Sequence, residues 1–145
     1  MALNHRAMSI ITLLVTTLCV SAWADDDVLE VHEQNAISYV SGGVGDDEKA
    51  QLESAQHNYN LRIMNADRSG HFSGDIRILI SDSQHNLLLD ATSGPLFYAN
   101  LPKGHYIIEG YAGLESKKET VTIAAGKPAR VRFMWPEEIE QTNNY

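Results

Sequence analysis

From Tyr59 onward, the apolar side chains of this chain fall at every second residue. Tyr59, Leu61 and Ile63 alternate with Asn60, Arg62 and Met64, and Ile76, Ile78 and Ile80 alternate with Asp75, Arg77 and Leu79. Successive side chains of an extended strand point to opposite faces, so a period of two sorts them into one buried and one wet face. A helix would need its apolar residues three and four apart. The alternating runs are short, and turn chemistry closes each of them. Asp67-Arg68-Ser69-Gly70 ends the first run and Asp82-Ser83-Gln84-His85-Asn86 the second. Leu87 to Thr92 is a third, broken by Ser93-Gly94-Pro95, and Leu96 to Ala99 a fourth. Pro102-Lys103-Gly104 leads into Tyr106 to Tyr111, Ala112-Gly113 into Lys117 to Ala124, and Ala125-Gly126-Lys127-Pro128 into Arg130 to Trp135. Seven such runs predict an all-β fold, a seven-stranded antiparallel β-sandwich spanning residues 59–136. The inward set is Leu61, Ile63, Ile76, Ile78, Ile80, Leu88, Phe97, Tyr106, Ile108, Val121, Ile123, Val131, Phe133 and Trp135.

Residues 25–58 read differently. Asp25 to Gln34 is acidic, with only Val28, Leu29 and Val31 to bury, and forms a loose lead-in. Asn35 to Val40 is a short extended piece, and Ser41-Gly42-Gly43-Val44-Gly45 interrupts regular structure. Asp46-Asp47-Glu48 then opens a short helix to about Gln56, since acids suit the positive end of a helix dipole. Its apolar face is thin, mainly Leu52 and Ala55, so it is expected to lie on a surface. Residues 137–145 are a polar, flexible tail.

The first residues set the expected compartment. Met1 to Ser9 carries Arg6 and no acid, Ile10 to Val20 is apolar, and Ala22-Trp23-Ala24 has the small-x-small form of a cleavage site. The apolar run is too short to span a bilayer, so residues 1–24 read as a secretory signal peptide. The mature chain then starts at Asp25 in the periplasm or outside the cell, with no membrane span. Cleavage removes Cys19, the single cysteine, and with it disulfide and thiolate chemistry. It also removes Arg6, leaving ten Lys and Arg against nineteen Asp and Glu, a net charge of −9. That balance argues against nucleic acid or anionic lipid as a general partner.

Three segments carry a family resemblance. They are Gly74-Asp75-Ile76 opening a strand, Leu101-Pro102-Lys103-Gly104-His105-Tyr106, and Val121-Thr122-Ile123-Ala124-Ala125-Gly126. On them, residues 59–135 resemble the carboxypeptidase regulatory-like domain, a transthyretin-like (prealbumin-like) β-sandwich found in exported bacterial proteins. The resemblance implies a prealbumin-like sandwich in which the Pro102 turn places Tyr106, and it implies little about activity. Hydroxyisourate hydrolase shares that fold and ends in Tyr-Arg-Gly-Ser. This chain ends Asn143-Asn144-Tyr145, which disfavours that reaction.

The residues that could carry chemistry are scattered. His32, His57, His71, His85 and His105 form no pair on one element, so no metal site and no cofactor are expected. Ser41 to Gly45 lacks the Gly-Lys-Ser/Thr ending of a phosphate loop, and the acids that follow it would repel phosphate. Asp46-Asp47-Glu48 lacks the alternation of a calcium loop. With no catalytic set, the chain is read as non-enzymatic. Arg130 and Arg132, with Arg77 nearby, form either an anion-binding patch or a charged edge that discourages strand addition. Tyr98 and Tyr111 are candidates for stacking on a sugar. The expected role is an accessory module of the bacterial envelope that recognises an envelope protein. The alternatives are a carbohydrate-binding domain using those tyrosines and, third, a metal-dependent hydrolase.

Overall fold

A computed structural model describes residues 29–70 and 75–137. The expected signal peptide, the Asp25–Asp27 run, His71, Gly74 and the tail beyond Glu137 lie outside the described residues. The described residues form two sheets and one short helix. Strands β1 (His32–Gln34) and β2 (Ile37–Gly42) come first, then helix α1 (Asp46–Ala55) and a 3-10 turn at Gln56–Asn58. Strands β3 (Leu61–Asp67), β4 (Ile76–Asp82), β5 (Leu87–Ser93), β6 (Leu96–Ala99), β7 (Gly104–Ala112), β8 (Glu115–Ile123) and β9 (Ala129–Trp135) follow. One sheet has the order β1-β2-β6-β3-β9 and the other β5-β4-β7-β8.

The seven alternating runs become β3 to β9, and two expectations about them change. Nine strands lie among the described residues, because β1 from the expected loose lead-in and β2, which grows from the expected extended piece Asn35–Val40 into Ser41 and Gly42, extend the first sheet. The sheets are also not wholly antiparallel, since β3 and β9 pair in parallel, Leu61 against Ala129 through Asp67 against Trp135. Parallel neighbours cannot be joined by a hairpin, and here the whole second sheet lies between them in sequence.

The same rule explains α1. Strands β2 and β3 both run antiparallel to β6 and flank it, so they are parallel to each other. The chain must cross β6 to join them, and α1 makes that crossing on the outer face of the first sheet. Leu52 is fully buried there with Val40, Tyr59, Leu96 and Tyr98, forming a second, smaller core. The helix has no side-chain N-cap. Instead the Glu48 carboxylate accepts hydrogen bonds from the backbone N–H groups of Gly43 (2.9 Å) and Val44 (3.2 Å).

Between the sheets lies the main core, where Ile63, Ile76, Ile78, Ile80, Phe97, Ile108, Phe133 and Trp135 are almost fully buried. Leu88 is displaced from its expected place. A bulge opposite Ile80 and Ser81 skips Leu88, leaving it half-buried while Leu89 points inward. Val121 is also only half-buried, since β8 is an edge strand.

One polar group enters this core. Asn65 and Ser93 are fully buried. The Asn65 amide donates to Ser93 Oγ (3.0 Å) and to the Gly94 carbonyl (3.1 Å), and its oxygen accepts from Trp135 Nε1 (3.3 Å). Strand β3 of one sheet is thereby fastened to the end of β5 in the other. Gly94 itself lies against Gly42 so closely that an added Cβ would sit 2.8 Å from the Gly42 carbonyl oxygen. At the Pro102 turn the Tyr106 hydroxyl donates to the Pro102 carbonyl at 2.7 Å.

Candidate functional site

The first sheet exposes part of its outer face because α1 covers only one side of it. Pairing registers define two cross-strand rows on that face. One row reads Val40, Tyr98, Arg62, Arg130, and the next Gly42, Leu96, Met64, Arg132. The helix sits over the left of both rows, where Leu52 meets Val40, Leu96 and Tyr98. The right side, built by β3 and the edge strand β9, is left as a groove of about 470 Å³. Gln56, Arg62, Met64, Tyr98, Arg130 and Arg132 are among its lining residues.

Three guanidinium groups therefore share one groove. Arg62 and Arg130 are direct cross-strand neighbours, and Arg132 lies one same-face position further along β9. None of the three has a carboxylate partner among the described residues. Arg62 is half-buried. Its Nη1 donates to Gln56 Oε1 at 3.2 Å, while its Nε is buried without any acceptor among the described residues. Arg130 and Arg132 are exposed. An acid does stand near the helix side. Glu53 on α1 lies 3.8 Å from Lys49 Nζ, and its charge adds to the burial that pushes the Tyr98 phenol above its ordinary range. Arg62 acts on that phenol in the opposite direction.

The structure thus brings together Tyr98, Arg130 and Arg132 from the sequence-derived candidates, and separates the others. Arg77 is not near Arg130 and Arg132. Strand β4 belongs to the other sheet, and the Arg77 guanidinium is held there by Asp90 through two hydrogen bonds of 2.9 and 2.7 Å. The same bond keeps the Asp90 carboxyl below its usual range. Tyr111 lies half-buried on that sheet's outer face, between Arg77 and Ser116. Close by, Lys118 and Glu109 pair at 2.7 Å. Tyr98 is 5% exposed, with its ring packed beside Tyr59, so it offers no open face for a sugar. Arg130 and Arg132 do lie on a sheet edge, since among the described residues β9 pairs with β3 alone.

Nothing in the local sequence marks Arg62 as a member of this group. Its outward place in the alternation was legible, but its pairing with Arg130 depends on a parallel register between distant segments. Of the described histidines, His32 stacks on Tyr39 at 5.2 Å, His57 is in the 3-10 turn and His85 in the β4–β5 turn. His105 has Nδ1 2.9 Å from Thr122 Oγ1. Among the described residues, no three His, Cys, Asp or Glu side chains converge on a point that could hold a metal ion. Nor is any described helix long and apolar enough to cross a membrane. No protein-family model matches the sequence, and comparison with curated proteins finds no relative.

Proposed function

We propose that this chain is an exported, non-enzymatic recognition module of the bacterial envelope, built on a prealbumin-like sandwich, and that it engages an envelope protein through the groove beside α1. The observation that carries this reading is the set of three arginines in one groove, none of which has a carboxylate partner among the described residues. Like charges on neighbouring strands repel and lower stability. The chain has nineteen acids against eleven bases, so carboxylates to neutralise them are plentiful. On the other sheet, Arg77 and Lys118 do have such partners. A patch kept unpaired at that cost is suited to a ligand that supplies the missing charge. The prealbumin-like part of the proposal draws support from the Tyr106–Pro102 hydrogen bond, which ties down the turn carrying the family resemblance. Strands β1 and β2 and helix α1 are then an addition that builds one wall of the groove.

Site-specific photocrosslinking in living cells tests the proposal. A photoreactive residue replaces Met64 in the groove or, as a control, Thr120 on the outer face of the second sheet. Adducts to one envelope protein from position 64 and none from position 120 are expected. An absence of protein adducts at position 64, or adducts to glycan alone, overturns the proposal.

A further inference from the structure

We infer that the groove binds an extended acidic peptide segment carrying carboxylates at alternate residues. This rests on reading the groove as the recognition surface and adds the chemistry of what enters it. Arg130 and Arg132 are two residues apart on one strand and face the same way, as do Arg62 and Met64 beside them. Such positions repeat about every 6.6 Å along a strand. An extended peptide lying along β9 presents its own same-face side chains at the same repeat, so acids at alternate residues meet successive arginines.

The groove is also two-sided in chemistry. Guanidinium groups line the β9 side, while Met64, Leu96 and Tyr98 form the apolar side. A ligand with anionic groups along one edge and apolar groups along the other fits both, as an acidic strand with interspersed aliphatic residues does. Arg130 and Arg132 are the exposed members of the row, so carboxylates in the groove meet them directly and neutralise the arginine row, and charge-assisted bonds of this kind are the stronger ones. The edge position of β9 leaves room alongside for an extended chain.

The test uses the full mature protein and a labelled, end-blocked peptide Glu-Val-Glu-Val-Glu, followed by fluorescence polarisation. A peptide of the same composition in the order Glu-Glu-Val-Val-Glu is the control. The alternating peptide is expected to bind more tightly than the control and to weaken as salt rises. The double variant R130Q/R132Q should lose affinity by roughly tenfold. It should also melt no lower than the parent, because the substitutions relieve repulsion. Equal affinity of parent and variant, or equal binding of the two peptides, overturns the inference. So does binding of inorganic phosphate or phosphatidylglycerol vesicles in place of the peptide. If position 64 crosslinks to an envelope protein and the same adduct persists in R130Q/R132Q, the acidic-peptide inference fails while the recognition role stands.

Discussion

Asn65 shows how one residue can hold two layers together. It replaces an aliphatic residue at an inward position of β3, and its amide is spent on Ser93, Gly94 and Trp135. A buried amide with all its partners costs little, but removing it strands those partners without water. Asn65→Ala should therefore destabilise the fold by about 2 kcal/mol, mostly by leaving Trp135 Nε1 without its acceptor, since the Gly94 carbonyl keeps its 2.7 Å bond from Ser93 Oγ. Urea denaturation measures this, and a loss below roughly 0.5 kcal/mol would show that water or a rearranged Ser93 replaces the amide. Nothing in the local sequence marks Asn65 as buried, because a polar residue within an alternating run reads as a turn or a bulge. The buried tyrosines make a second prediction at this scale. Burial raises the phenols of Tyr59, Tyr98 and Tyr106 above their ordinary value of 10.0. A raised value means the folded state favours the neutral phenol. The resulting stabilisation is full below pH 10.0 and is lost as pH rises through the folded-state values. Alkaline titration followed by phenolate absorbance should show these tyrosines ionising late, together with unfolding. Tyr98→Phe should remove one late-ionising group. An unchanged count in that variant would place its phenol in water.

At the scale of elements, α1 is the piece whose sequence says least about its importance. Its apolar face amounts to Leu52 and part of Ala55, so by propensity and amphipathicity it would be a marginal surface helix. Its place is fixed by topology, because it carries the chain across β6. Leu52 fills the space over Val40, Leu96 and Tyr98 and is fully buried. Leu52→Ala should cost about 3 kcal/mol and loosen α1 selectively. Hydrogen exchange reads this out directly: faster exchange is expected at α1 and at the Gly43 and Val44 amides that Glu48 holds. Uniform exchange throughout the protein would mean that α1 and the sandwich open as a single unit. The strands were far more legible. Every alternating run from Tyr59 onward became a strand at nearly the expected limits, because a half-buried strand writes its two faces into its own residues. The exceptions were local. Leu88 fell at a bulge, and Val121 at an edge, where neighbours rather than period decide burial.

For the whole molecule, the question is where the folding unit begins. Alternation alone places its start at Tyr59, yet β2 pairs with β6 from Tyr39 against Ala99 to Gly42 against Leu96. Without residues before Asn58, β6 would become an open edge, and Leu96 and Tyr98 would lose the helix above them. An unprotected apolar edge strand invites association between molecules. A fragment starting at Asn58 should therefore aggregate or lose cooperative unfolding, as size-exclusion chromatography and circular dichroism would show. A monomeric fragment with a sharp transition would establish that β1, β2 and α1 are dispensable to the sandwich.

From Tyr59 onward the sequence by itself determined which segments are strands, which faces are greasy and where the turns fall, since each of these is set by residues within a few positions of one another. It also supplied three of the groove residues as candidates, Arg130 and Arg132 as one pair and Tyr98 apart from them. Only the tertiary structure decided that β3 lies beside β9, that α1 bridges β6, and that Arg62 joins Arg130 and Arg132 in one groove. Strand order and register depend on contacts between segments far apart in the chain. Because each strand's own pattern is compatible with several neighbours, no local pattern can choose among them.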